Sequence, residues 1–128
     1  IGDLATNLVE FFHMVFDDSG QFTEYAYSEI NKMFDTLIEM FDKCIVVYET
    51  SDNDTYMELL DLEDKLDSME FKFRNNHFDR LSNNACGSAI AASVYADILG
   101  NLERMGDHCR NIGRSTVSDM PLGNHVDF

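Results

Sequence analysis

Two pairs of carboxylates carry the chemistry that this sequence offers. Glu63 and Asp67 stand four residues apart in Leu62-Glu63-Asp64-Lys65-Leu66-Asp67. Glu103 and Asp107 have the same spacing in Asn101-Leu102-Glu103-Arg104-Met105-Gly106-Asp107-His108-Cys109-Arg110-Asn111-Ile112. On a helix, residues four apart share one face one turn apart, within reach of a common cation. Counted from Ala85, Glu63 and Asp107 are each 22 residues away, and Asp67 and Glu103 are each 18 away. An antiparallel hairpin turning at Ala85 would set the two pairs level, with Glu opposite Asp in both rows. Four converging carboxylates repel one another, and a hard divalent or trivalent cation relieves that repulsion.

A solvated acidic face is the competing explanation. Asp and Glu number 24 among 128 residues, so such spacings also arise by chance, and the reversed pair Asp35 and Glu39 reads as surface. Geometry adds an objection. At roughly 100° per residue, Glu103 and Asp107 point nearly opposite a stripe through Ile98 and Met105. A site on an outer face, or one shared with another repeat, therefore suits the spacing better than a site in the core. Spacing alone leaves both explanations standing.

Other chemistries find less support. Helical di-iron oxidases use Glu-x-x-His twice, yet His108 follows Glu103 by five and His77 has no Glu three before it. Nucleophile-elbow and phosphate-cradling glycine patterns are absent, so an enzyme is disfavoured. His77 falls near an apolar stripe and reads as a buried histidine bonded to a neighbour. Arg104 reads as a structural ion-pair partner, and Gly106, costly inside a helix by about 1 kcal/mol, implies close approach of another helix. Three cysteines, Cys44, Cys86 and Cys109, lack CxxC spacing and read as inert reduced thiols.

Four helices must position these residues. The first, from Asp3 to about Asp18, carries Leu4, Leu8, Phe11, Phe12 and Val15 on one stripe. The second runs from about Thr23 to Tyr48 through Ile30, Met33, Phe34, Leu37, Phe41, Cys44 and Tyr48. The third runs from about Thr55 to Leu81 through Leu59, Leu62, Leu66, Met69 and Phe73. The fourth, from about Ser88 to Ser115, carries Ala91, Val94, Ile98, Leu102, Met105, Cys109 and Ile112. Short turns between long helices make antiparallel neighbours, and no strand pattern intrudes. The fold class is all-α: an antiparallel up-and-down helical bundle of three long helices and a stub. Residues 116–128, with the only Pro, form a flexible tail.

Ile1-Gly2-Asp3-Leu4-Ala5-Thr6-Asn7-Leu8 lines up with Met105-Gly106-Asp107-His108-Cys109-Arg110-Asn111-Ile112, 104 residues later. Gly, Asp and Asn recur at the same positions, so residues 1–17 read as the end of a first repeat and residues 22–115 as a second. The stub, separated from its own repeat, predicts an exchanged or dimeric packing, and a homodimer is expected. A formal net charge of -15 repels phosphate backbones and acidic headgroups, which argues against nucleic acid as a partner. No apolar run is long enough to cross a bilayer.

These motifs resemble PhoU domains. Leu102-Glu103-Arg104-Met105-Gly106-Asp107-His108 with Asn111-Ile112 is similar to that family's signature, and Leu62 to Asp67 is similar to its other ExxxD segment. Arg74-Asn75-Asn76-His77-Phe78-Asp79-Arg80-Leu81 resembles a run found in PhoU domains fused to sodium/phosphate cotransporters. Asn84-Ala85-Cys86 and Tyr95-Ala96-Asp97-Ile98-Leu99 are similar to the same subgroup, so the resemblance spans about residues 1 to 115.

The resemblance implies tandem three-helix repeats and an outer-face site that holds multinuclear iron or a related divalent or trivalent metal. By position its ligands are Glu63, Asp67, Glu103 and Asp107, and Asp3 belongs to the matching site of the first repeat. Leu4 stands where the family commonly has His, which puts that first site in doubt. The implied role is non-enzymatic regulation of phosphate uptake, as the cytosolic domain of a sodium-dependent phosphate cotransporter. The expected partner is the membrane portion of the same chain. The alternatives are a stand-alone adaptor acting on a phosphate ABC transporter and its sensor kinase, or a metal-free helical interaction module.

Overall fold

The computed structural model describes residues 2–17, 22–83 and 89–117. Its elements are four helices: α1 (Gly2–Asp17), α2 (Glu24–Thr50), α3 (Asn53–Ser82) and α4 (Ala89–Val117). Local chemistry sets the ends of α2 and the start of α3. Thr23 caps α2 by accepting a hydrogen bond from the Ala26 amide at 3.1 Å. Ser51 stops it in the left-handed conformation, φ 55°, with its own N–H returning to the Val47 carbonyl at 2.7 Å. Asp52 then accepts from the Thr55 amide and starts α3. Two linking residues leave α2 and α3 no choice but to run antiparallel.

Helices α2, α3 and α4 pack against one another, and α1 lies along α4. The line that α2 buries is Ile30, Met33, Leu37, Met40, Cys44 and Val47, in steps alternating three and four. That alternation is the seam of nearly parallel helix axes. It corrects the sequence expectation at one end: Tyr48 is 70% exposed while Val47 is fully buried. Leu8 of α1 is buried, with Leu4, Phe11 and Phe12 packed beside it. Asn101 of α4, itself buried, donates from Nδ2 to the Leu4 carbonyl at 2.9 Å. The stub thus lies on α4 of its own chain. Helix α4 runs two residues beyond the expected start of the tail, Thr116 being tied to the Ile112 carbonyl. Residues 118–128, Cys86 and the turn at Ala85 lie outside the described residues.

Gly106 allows a close approach of α4 to α3 and α2. A Cβ there would stand 2.5 Å from Leu66 Cδ2 and 3.3 Å from Met40 Cε, so any larger residue would force those side chains of α3 and α2 to shift. Gly113, one face-repeat further along, plays the same part against Leu59 and Tyr56.

Candidate metal centre

The close approach at Gly106 decides where the carboxylates go. Helix α4 has neighbours on three sides: Asn101 reaches α1, Gly106 meets α2 and α3, and Gly113 meets α3. Its buried arc is therefore wider than a single stripe through Ile98 and Met105. Glu103 and Asp107, far from that stripe, stand at the edge of the arc facing α3. The geometric objection drawn from the sequence dissolves once three neighbours replace one.

Oxygen atoms of Glu63, Asp67 and Asp107 lie within 4.8 Å of one another. Glu103 joins them through hydrogen-bond contacts to Asp107 and Asp67, and Glu63 makes such a contact with Asp107. Glu63 thus meets Asp107 and Asp67 meets Glu103, the pairing that equal distances from the connecting turn require. Glu63 is buried, Glu103 and Asp107 are partly buried, and Asp67 is exposed. Glu103 also lines an open depression with Glu70, Arg74, Asp97 and Arg104, so the cluster reaches solvent along the α3–α4 groove.

The electrostatics follow from crowding. Burial, then the Asp107 carboxyl beside it, pushes Glu63 up to about 7 from an ordinary 4.5. Burial and the same neighbour push Glu103 up to about 8. Asp67, although exposed, is raised too, chiefly by partial loss of water around its carboxyl and further by the nearby Asp107. Carboxyls in mutual contact are held by shared protons or by a cation, and one cation is already there. Arg110 donates from a terminal nitrogen to Glu63 Oε1 at 2.8 Å and stands 3.8 Å from Asp107 Oδ1. Sequence reasoning missed Arg110, although its position three after Asp107 and seven after Glu103 puts it on their face. It had singled out Arg104, which instead bonds Asn101 Oδ1 at 2.8 Å.

The donor set is chemically uniform. Every candidate donor atom is a carboxylate oxygen, with neither thiolate nor imidazole, which would suit hard cations such as magnesium, calcium, manganese or ferric iron. Asp3 and His108 stand apart from the cluster, Asp3 exposed on α1 and His108 half-buried on α4. Cys44 and Cys109 are free, buried and in contact with each other between α2 and α4. That contact, and burial after it, raise the Cys109 thiol, which keeps it inert.

A second polar cluster, further along the same helices, contains Asn76, His77 and Arg80 of the Arg74–Leu81 run. Glu29 of α2, 7% exposed, accepts from Arg80 at 2.7 Å, from Asn76 at 2.8 Å and from the Tyr95 hydroxyl. The Arg80 guanidinium also lies 5.4 Å from the Tyr95 ring centroid, and the His77 ring meets the same ring at 4.8 Å, tilted by 43°. Burial alone would raise Glu29, but the donors from Arg80, Tyr95 and Asn76 outweigh it and hold the carboxyl below its usual range. His77 is buried and lowered, mainly by desolvation and by Arg80, and contacts the Ala92 backbone. It is the neighbour-bonded core histidine that its place near the stripe predicts.

No solved structure matches the chain significantly. The chain is 30% identical over 117 residues to the "Phosphate-specific transport system accessory protein PhoU homolog 1" of Thermotoga maritima. That alignment covers 91% of this chain and 49% of the relative, so the chain spans about half the relative's length. The family model described as "PhoU domain" matches residues 30–116, which takes in both carboxylate pairs, all of α3 and most of α2 and α4. The chain belongs to the PhoU domain family.

Proposed function

We propose that this chain is a non-enzymatic regulatory domain of phosphate uptake whose Glu63, Asp67, Glu103 and Asp107 hold one or more hard cations. The observation that carries the metal reading is the imbalance of the cluster: four carboxylates meet across the α3–α4 groove, and Arg110 is the guanidinium that pairs with them. A bound cation would neutralise that excess and clamp α3 to α4 one turn from Gly106. Iron, alone or in a multinuclear cluster, is the metal that the family resemblance favours, and the oxygen donor set accommodates ferric iron or manganese.

The regulatory role draws its support from the family and from the phosphate-transport name of the Thermotoga relative. Within that role we favour the cytosolic domain of a sodium-dependent phosphate cotransporter. The residues behind that choice, His77, Arg80 and Tyr95, gather with Glu29 into one buried cluster rather than scattering over the surface. The relative's own name favours a second reading, a stand-alone adaptor to a phosphate transport system. A parent sequence with a membrane half separates the two. Among the described residues no helix is long and apolar enough to cross a membrane.

Elemental analysis tests the metal site directly. The chain, freed of chelator and incubated with iron or manganese, is expected to retain stoichiometric metal, and Glu103→Gln/Asp107→Asn to lose it. A wild-type chain that retains none would reduce the carboxylates to a protonated, solvated groove and leave a metal-free interaction module as the better description.

A further inference from the structure

The placement of Arg110 has a consequence for any cation that enters the groove. Its guanidinium reaches from α4 to the buried Glu63 on α3 and stands beside Asp107, two of the four candidate ligands. The Nε atom is buried and has no hydrogen-bond partner among the described residues, while a terminal nitrogen makes only a long 3.3 Å contact to Asn111 Oδ1. The guanidinium is thus drawn in by the carboxylates, with one donor left unsatisfied by the drawing-in. Glu63 is the innermost acid of the set, 5% exposed, and Arg110 is the charged partner bonded to it.

We propose that Arg110 is a built-in competitor for the cation site: the guanidinium and a metal ion are alternative occupants of the same carboxylates. This rests on the metal reading above and adds regulation to it. A metal ion bonded to Glu63 and Asp107 takes the oxygens that now face Arg110, and two cations within a few ångströms repel. Arg110 therefore leaves the cluster when metal enters, and its long side chain, already about one-third exposed, has a solvent path out along α4. In the metal-free state it keeps Glu63 partnered. The exchange sets a threshold, since metal must outcompete a tethered cation as well as shed its own water. Release also places a free guanidinium on the surface of α4, so that metal occupancy is displayed as a change of surface charge.

Two measurements test this on the whole chain, both using manganese(II) as the probe. The first is free-manganese counting by electron paramagnetic resonance for wild type, Arg110→Gln and Arg110→Lys, with helicity checked by circular dichroism. Arg110→Gln is expected to bind roughly 10- to 100-fold tighter than wild type, the span of one charge-assisted hydrogen bond. Arg110→Lys, which keeps the charge without the fork, should fall between. Equal or weaker binding by Arg110→Gln, with wild type still binding, overturns the competition and leaves the metal site intact. Binding by neither protein overturns both.

The second measurement needs no variant. Phenylglyoxal modification of Arg110, read by peptide mass spectrometry, should speed up at least severalfold when wild type is saturated with manganese. A rate that manganese leaves unchanged or lowers would overturn the displacement.

Discussion

The two polar clusters of this bundle share α3 and α4, the first adding Glu29 from α2, and obey the same electrostatics, yet they end in opposite states. At one end a single carboxylate, Glu29, meets a guanidinium, an amide and a phenol, and is held below its ordinary pKa. At the other, four carboxylates meet one guanidinium, and Glu63 and Glu103 are pushed up to about 7 and 8. The first is closed to further partners because its charges and donors balance. The second has an unmet demand for positive charge and opens on a groove. Burial alone does not separate structure from function here, since Glu29 and Glu63 are almost equally covered. Charge balance does.

The largest expected effect is at the balanced end. Arg80→Ala leaves Glu29 buried without its counter-ion, and urea denaturation at neutral pH should show a loss of about 3 kcal/mol. A loss near zero would make the cluster an incidental surface contact and erase the contrast.

The unbalanced end should respond with the opposite sign. Glu63 and Glu103 titrate higher in the folded chain than the ordinary 4.5 of an unfolded one. Between about pH 4.5 and 8 the folded state therefore keeps protons that the unfolded state has released. Stability of the metal-free chain falls as pH rises through that window, and the penalty is full above it. Glu29, lowered, contributes in the other direction: its share is present above the unfolded value and disappears only as pH drops through the folded one. Thermal melts from pH 5.5 to 8.5 without metal should show a decline of order 2 kcal/mol after solvent screening. Glu103→Gln should flatten that decline and stabilise the chain at pH 8. A flat wild-type profile, or destabilisation by Glu103→Gln at that pH, would mean that the carboxylates do not crowd.

The smallest effect probes what brings the unbalanced cluster together. Gly106→Ala places a methyl 2.5 Å from Leu66 Cδ2. Overpacking costs about 1–3 kcal/mol and helix propensity returns about 1, so a net loss of about 1 kcal/mol is expected in the same denaturation assay. Manganese affinity should fall with it, because Leu66, the neighbour of Asp67 on α3, must shift to admit the methyl. Unchanged affinity would detach the site from the helix contact.

Much of this was legible in the chain. Apolar steps of three and four drew all four helices to within a few residues of their observed ends, as in α2, expected from about Thr23 to Tyr48 and observed as Glu24–Thr50. Gly106 announced a close contact through its cost in a helix. Equal spacing from the turn paired Glu63 with Asp107 and Asp67 with Glu103. The Glu29 cluster was less visible, because a lone acid between Ser28 and Ile30 looks like any surface glutamate until three donors from other helices surround it.

By itself, then, the sequence determined what local physics controls: helix periodicity, caps, short linkers, register across a hairpin, and an acidic surplus in two rows. Tertiary structure decided which face of α4 counts as inside, because a helix with three neighbours buries an arc and not a line. That width carried Glu103 and Asp107 from an apparent outer face to the α3 edge of the core. It also chose Arg110 over Arg104 as the resident cation, since both lie in an acidic stretch and only their angle to α3 tells them apart. Spacing along one helix is a matter of backbone geometry, but the charge that a group feels is set by whatever other helices bring to it.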